Sequence, residues 1–339
     1  MRKLLGAAAS ALVLLAFTPS AASASDGDTI PIPEKGELAV SFTFDGGYKG
    51  QETAARILAS HEVAGTFFIN SGYLGYPAYL SVDDLRGISR QRHEIGGASL
   101  YNNNLTDIEA EDATQQVCDD RATLSQLGFQ VTSFSYPYGD DSVQAKASAE
   151  ECGYNSGRAV SGLYFSDTDC SDCPEAESLP PVDDMRIRSA GYTNDVERIK
   201  ESITRARDSG GGWMPLIFSH ICVCPELGDD AISPSAFKEL VTWVSERDEL
   251  KVYRVDEVMG GDLEDIKGTP LQRLMPGGVT VPKHDKPPLS SAPAFSLWGY
   301  GINQTQIILM GTLIALAIAL TYRSATRQIR YTRLRGLIK

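Results

Sequence analysis

Apolar residues in the middle of the chain come in short runs, separated by stretches with helical spacing. Leu38 to Phe44 (LAVSFTF), Ala64 to Asn70 (AGTFFIN), His93 to Gly96, Thr132 to Tyr136, Met185 to Ser189, Trp213 to Ser219 (WMPLIFS) and Leu250 to Val255 read as strands. Between them Gln51 to Ser60, Val82 to Gln91 with Ser81 as N-cap, Ile108 to Leu127, Ser142 to Glu151, Asn194 to Arg207 and Ser235 to Arg247 read as helices. Strand–helix units repeated in this way predict a parallel sheet, because a parallel pair needs a crossover long enough to hold a helix. A body of roughly 230 residues suits a distorted (β/α) barrel of seven or eight strands.

The two ends follow other patterns. Residues 1–24 carry Arg2 and Lys3, then an apolar run from Leu4 to Phe17, then Ala22-Ser23-Ala24, the layout of an export signal peptide. Residues 287–322 hold no charged side chain, and 303–322 (NQTQIILMGTLIALAIALTY) are long enough for one transmembrane helix. The tail, 323–339, has five Arg, one Lys and no acid, which places it on the cytoplasmic side. The expected organisation is a signal peptide (1–24), a body (36–262), a Pro- and Gly-containing linker or stalk (263–302), a membrane span (303–322) and a basic cytoplasmic tail (323–339). The chain is thus expected at the cell membrane, single-pass, with its body outside the cytoplasm.

Charge and cysteine sharpen this picture. The whole chain has 31 basic and 44 acidic residues, a net charge of -13. Without the two ends, 23 basic residues face all 44 acidic ones, a net of -21. Such a body repels nucleic acid, so no nucleic-acid partner is expected. All six cysteines (Cys118, Cys152, Cys170, Cys173, Cys222, Cys224) fall in the exported part, where disulfides are expected. The expected pairing is Cys118 with Cys152 and the other four among themselves; a four-thiolate zinc site from Cys170, Cys173, Cys222 and Cys224 is the alternative.

In parallel α/β folds the working residues sit where strands end. Here the strand ends lead into Thr43-Phe44-Asp45-Gly46-Gly47, His93 to Asn102 (HEIGGASLYN), Ser135-Tyr136-Pro137-Tyr138-Gly139, and His220. Four such segments on one rim make a pocket with Asp45, His220, Tyr138 and the aromatics Tyr48, Tyr101 and Tyr136.

These segments, in this order, resemble the polysaccharide deacetylase family (NodB homology domain, carbohydrate esterase family four). Its patterns TFDDG, HEIGxHxxxH, RxPYG and Leu-x-His align with Thr43 to Gly47, His93 to Asn102, Ser135 to Gly139 and the strand ending at His220. The resemblance implies metal-assisted hydrolysis of an N-acetyl amide on a polysaccharide. It gives Asp45 the role of general base, His220 that of general acid, and Tyr138 the oxyanion-hole position. It also implies a zinc-like ion held by one Asp and two His, yet the three ligand positions are Gly46, Ala98 and Asn102. Gly and Ala offer no donor atom, and a neutral amide is a poor zinc ligand. Ser135 stands where the family usually has Arg.

The expectation is therefore a membrane-anchored family member that acts on or binds N-acetylated surface glycans, catalytically impaired, with no cofactor unless a zinc site is rebuilt. An active deacetylase and a non-catalytic envelope scaffold are the alternatives. Asp45, His220 and His93 are the one makeshift ligand set available. Ala98→His alone is expected not to restore activity, whereas Gly46→Asp, Ala98→His and Asn102→His together could.

Overall fold

The computed structural model describes residues 33, 34, 36–165, 170–274, 296, 297, 300 and 301. The expected signal peptide, membrane span and basic tail fall outside the described residues. No helix among the described residues is long and apolar enough to cross a membrane.

Strands β1 (Leu38–Asp45), β2 (Thr66–Ile69), β3 (Glu94–Gly97), β4 (Ser133–Ser135), β5 (Ser156–Gly162), β6 (Ile187–Ser189) and β7 (Trp213–Phe218) are followed by two short strands, β8 (His220–Ile221) and β9 (Ala231–Ile232), and by β10 (Leu250–Val252). Helices α1 (Gln51–Ser60), α2 (Val82–Arg90), α3 (Ala110–Gln126), α4 (Val143–Glu151), α5 (Val196–Asp208), α6 (Pro234–Ser245) and α7 (Val255–Met259) fill the connections. β1 to β6 pair in sequence order, all parallel; β7 and β10 both pair with β1. The sheet curls into a half-barrel. Its two ends approach where the Ala190 N–H donates to the Pro215 carbonyl at 3.2 Å. The expected parallel α/β architecture is present, as a half-barrel and not a closed ring of strand pairs.

β1 shows why the sequence folds this way. Alternate residues of a strand face opposite sides. Leu38, Val40, Phe42 and Phe44 join the large core under the helices, where Phe44 stacks on Phe67 with centroids 4.4 Å apart. Ala39, Ser41, Thr43 and Asp45 occupy the other face. Ala39 packs there with Phe68, Ala98, Ile187 and Trp213, and the Ser41 hydroxyl accepts from the Trp213 indole at 2.9 Å. On this face β1 itself contributes only small and polar residues, and Phe68, Ile187 and Trp213 pack against them. Asp45 is the last residue of this inner row, at the C-terminal mouth.

Helix boundaries follow local chemistry. Ser81 begins α2 with a capping box: its hydroxyl accepts from the Asp84 N–H, and the Asp84 carboxylate accepts from the Ser81 N–H. α6 begins one residue earlier than expected, because Ser233 caps it and Pro234 fits its first position.

Two features depart from the sequence reading. β5 (SGRAVSG) was not anticipated; its Gly, Ser and Arg residues give no apolar alternation, and pairing with β4 and β6 makes it a strand. The body also extends past residue 262. Buried Arg121 of α3 donates to the carbonyls of Glu264 and Asp265 at 3.1 and 3.0 Å, and Arg273 donates to the Leu74 carbonyl at 3.0 Å. Residues 263–274, expected to begin the linker, pack on the domain instead.

The disulfides are Cys118–Cys152, Cys170–Cys173 and Cys222–Cys224. The first joins α3 to the end of α4. The alternative four-thiolate zinc site is excluded by the other two, since each cysteine is consumed by a close neighbour.

Candidate active site

The C-terminal ends of the strands bring Asp45, Gly46, Ala98, Ser135, Tyr138 and His220 to one rim, as the sequence suggests. The Gln51 side chain ties two of these ends together. Its amide donates to the carbonyls of Asp45 and Ser219, at 2.7 and 2.9 Å, so the β1 and β7 termini keep a fixed spacing.

Asp45 is held by three donors. Arg158 and the Ser135 hydroxyl (3.1 Å) bond Oδ1, and the Tyr192 hydroxyl bonds Oδ2 at 2.7 Å. Neither Arg158 nor Tyr192 was anticipated from the sequence. Arg158 lies on the unanticipated strand β5, and Tyr192 in the loop after β6. Burial, and then the charge of Asp45, push the Tyr192 hydroxyl well above its ordinary range, so it stays a proton donor to the carboxylate.

His220 lies flat against Tyr48, ring centroids 3.8 Å apart, with Ser219 Oγ 3.2 Å from its Nδ1. Burial lowers its pKa, against the opposing pull of Asp230, so the neutral ring is favoured near neutral pH. Burial raises the Asp230 carboxyl in turn.

Tyr48 opens a line of aromatics. Tyr79 stacks on it at 5.2 Å, Tyr73 stacks on Tyr79 at 4.7 Å, and Tyr101 meets Tyr73 edge-on at 5.8 Å. Tyr73 and Tyr79 are additions to the aromatics expected from sequence. Tyr138 stands at the rim, 46% exposed, with a left-handed backbone (φ 59°). Burial holds the Tyr48 phenol above its usual range and Tyr79 at about 12, so both keep their protons. Tyr136 is not part of this surface. It is 1% exposed, and its hydroxyl donates to the Met185 carbonyl at 2.8 Å. Tyr136 continues the extended backbone of β4 and points inward, and the left-handed turn at Tyr138 sends that side chain out to the rim.

The residues present do not fit a zinc-like ion. A β-carbon at Gly46 would lie 2.7 Å from Tyr48 Cε2, and the Gly46 φ of +91° disfavours any side chain. The Tyr48 ring therefore covers the place where a ligand from position 46 would project. Ala98 is 4% exposed and belongs to the apolar cluster with Phe68. Asn102 takes a left-handed φ of 52°. His93 cannot stand in. It precedes β3, at the opposite end of the sheet, where it accepts from the Gly65 N–H and bonds the Ala55 carbonyl at 3.0 Å. Burial lowers its pKa to about 4, as suits a neutral structural ring. Among the described residues, no group of three or more His, Cys, Asp or Glu is placed to hold a metal ion.

Buried acids support the rim from beneath. Asp120 of α3 accepts from the Ser71 N–H at 2.8 Å, the Ser71 hydroxyl, and the Ala98 N–H at 3.1 Å, which fixes the loops after β2 and β3. Burial raises its pKa to about 7.

No curated protein matches the sequence. Three solved structures are similar in part. The peptidoglycan deacetylase PdaC from Bacillus subtilis is 16% identical, with 66% of this chain and 90% of that one covered (TM-score 0.40). A family 4 carbohydrate esterase from Streptomyces lividans is 10% identical, with 66% and 95% covered (TM-score 0.42). The Xyl-CE4 domain of a xylanase from the hindgut metagenome of Trinervitermes trinervoides is 13% identical, with 66% and 89% covered (TM-score 0.46). Residues 33–157 match the family model "Polysaccharide deacetylase". That stretch contains the first three rim segments and stops before His220. Over residues 33–157 the chain is similar to the polysaccharide deacetylase family.

Proposed function

We propose that this chain engages N-acetylated surface glycans through its rim, as a catalytically impaired, membrane-anchored member of the polysaccharide deacetylase family. The observation that carries the reading is the Tyr48 ring over Gly46, which puts an aromatic face where the family's metal ligand belongs. The Tyr48 ring, stacked on both His220 and Tyr79, is no Lewis acid. It cannot polarise an amide carbonyl, a contribution worth several kcal/mol of barrier in metal hydrolases. Anchoring is inferred from residues 1–24 and 303–322, whose composition is that of an export signal and a span.

The test uses the purified full-length chain. It should bind an N-acetylglucosamine tetramer by calorimetry and release no acetate from it, with or without added zinc. Zinc-stimulated acetate release that is lost in Asp45→Asn would sink the impaired reading. Protease accessibility in intact cells should cut the body and spare the C-terminal tail; the reverse would sink the anchoring.

A further inference from the structure

Positions 135 and 158 face each other across the parallel β4–β5 ladder. The family pattern places Arg at the first of these, where this chain has Ser135; the register partner carries the guanidinium instead. Arg158 is fully buried. Its Nη2 donates to both the Asp45 carboxylate and the Ser135 hydroxyl, and its Nη1 donates to the Ala159 carbonyl at 3.0 Å. Its Cζ lies 5.2 Å from the Phe68 ring centroid. Nε has no acceptor among the described residues. A guanidinium with no exposure is tolerated only when paired, and Asp45 is the acid that pairs with it.

Ser135 is what lets the exchange work. Register partners on one face of a sheet are close, so two guanidinium groups there would collide and repel. A serine leaves room for the Arg158 side chain to reach Asp45, and its own hydroxyl adds a second donor to the same oxygen. The carboxylate is thereby fixed at the mouth of the half-barrel, with the Asp45 side chain 16% exposed.

We infer that Arg158 is a positioning residue: a guanidinium moved one strand over from position 135, which orients Asp45 as the acceptor for a hydroxyl or amide N–H of the bound N-acetylated sugar. This inference rests on the glycan reading above. It commits to a role for the pair beyond folding, so its test must separate stability from binding.

The experiment compares wild type, Arg158→Met, Arg158→Lys and the exchange Ser135→Arg/Arg158→Ser, all in the full-length chain. Affinity for the N-acetylglucosamine tetramer is read by calorimetry, and folding by circular dichroism with a thermal midpoint. Arg158→Met should weaken binding at least about tenfold. Arg158→Lys should stay weak, because a lone ammonium cannot hold the Ala159 carbonyl, as Nη1 does, while also bonding Asp45 and Ser135, as Nη2 does, and the exchange should return to within about threefold of wild type. An exchange variant that regains the thermal midpoint but not the affinity would overturn the inference. So would a folded Arg158→Met that binds like wild type. Should Arg158→Met fail to fold, Arg158→Lys and the exchange variant decide the matter. Failure of wild type itself to bind the tetramer would overturn the glycan reading and the acceptor role together, whereas full binding by every variant overturns the positioning role alone.

Discussion

Tyr48 and His220 stack with ring centroids 3.8 Å apart and planes 29° from parallel, and the same Tyr48 ring fills the place a β-carbon of residue 46 would take. At this pair the rim keeps a histidine, and the side-chain space at position 46 is taken by an aromatic ring. Tyr79 also stacks on Tyr48, with centroids 5.2 Å apart.

The first prediction concerns metal. The sequence suggested that Gly46→Asp, Ala98→His and Asn102→His together could rebuild a zinc site. The structure predicts that the triple variant binds no zinc tighter than the millimolar range. Its aspartate would need a left-handed backbone and the space Tyr48 fills, and the new imidazole at 98 would enter an apolar cluster. Gly46→Ala alone should cost about 1–3 kcal/mol by urea denaturation, from strain at φ +91° and contact with Tyr48. One tightly bound zinc per triple-variant chain, by mass spectrometry under native conditions, would refute this.

A second prediction separates the rim aromatics from the buried one. Tyr48→Ala and Tyr138→Ala should each weaken tetramer binding severalfold. Tyr136→Phe should leave binding unchanged and lower stability by about 0.5–1.5 kcal/mol, because it strands the Met185 carbonyl that the hydroxyl now serves. Loss of binding in Tyr136→Phe would show that the groove reaches deeper than the exposed rim.

Glu94 sets a third test. Burial, with the nearby Asp256 charge adding to it, raises the Glu94 carboxyl from 4.5 to about 8. The folded chain therefore keeps a proton that the unfolded chain releases across that window. Stability must fall as pH rises from about 5 to 8, by up to about 1.4 kcal/mol per pH unit for one proton. Gln at position 94 is neutral throughout and can still accept from Thr66 and the Asp256 N–H, which bond Oε2 at 2.6 and 3.0 Å. Glu94→Gln should flatten the decline, and its advantage over wild type should grow from pH 5 to pH 8. The relevant measurement is the difference in urea-unfolding free energy at the two pH values; a constant difference would contradict the assignment. The lowered pKa values of His93 and His220 act with opposite sign, reducing stability as pH falls below about 6.5, so only the comparison with the variant isolates Glu94.

The disulfides allow a fourth. Cys118 and Cys152 are separated by 34 residues, against 3 and 2 for the other pairs. Closing a longer loop constrains the unfolded chain more. Removing Cys118–Cys152 should cost about 2–4 kcal/mol, and removing either short bridge distinctly less. Equal losses from all three by chemical denaturation would contradict this ordering, and six thiols alkylated in the native protein would refute the bridges altogether.

Much of this architecture was legible from sequence because the signals are local. The apolar runs at Leu38 to Phe44 and Trp213 to Ser219 fill strands on both faces, and Ser81 announces α2 through a cap three residues long. The rim residues Asp45 and His220 follow from their place just after strands. β5 was illegible for the opposite reason. Its residues carry no apolar alternation, and it becomes a strand through its neighbours.

The sequence by itself determined the alternation of strands and helices, the four rim segments, and the absence of ligand atoms at Gly46 and Ala98, because each of these is a property of residues close together in the chain. Tertiary structure decided that Arg158 answers Asp45 across 113 positions, that Tyr48 fills the place above Gly46, and that Tyr136 turns inward. Such pairings depend on strand order and register, and strand order and register are set by burial of the whole sheet. No window of sequence around Asp45 contains the arginine that holds it.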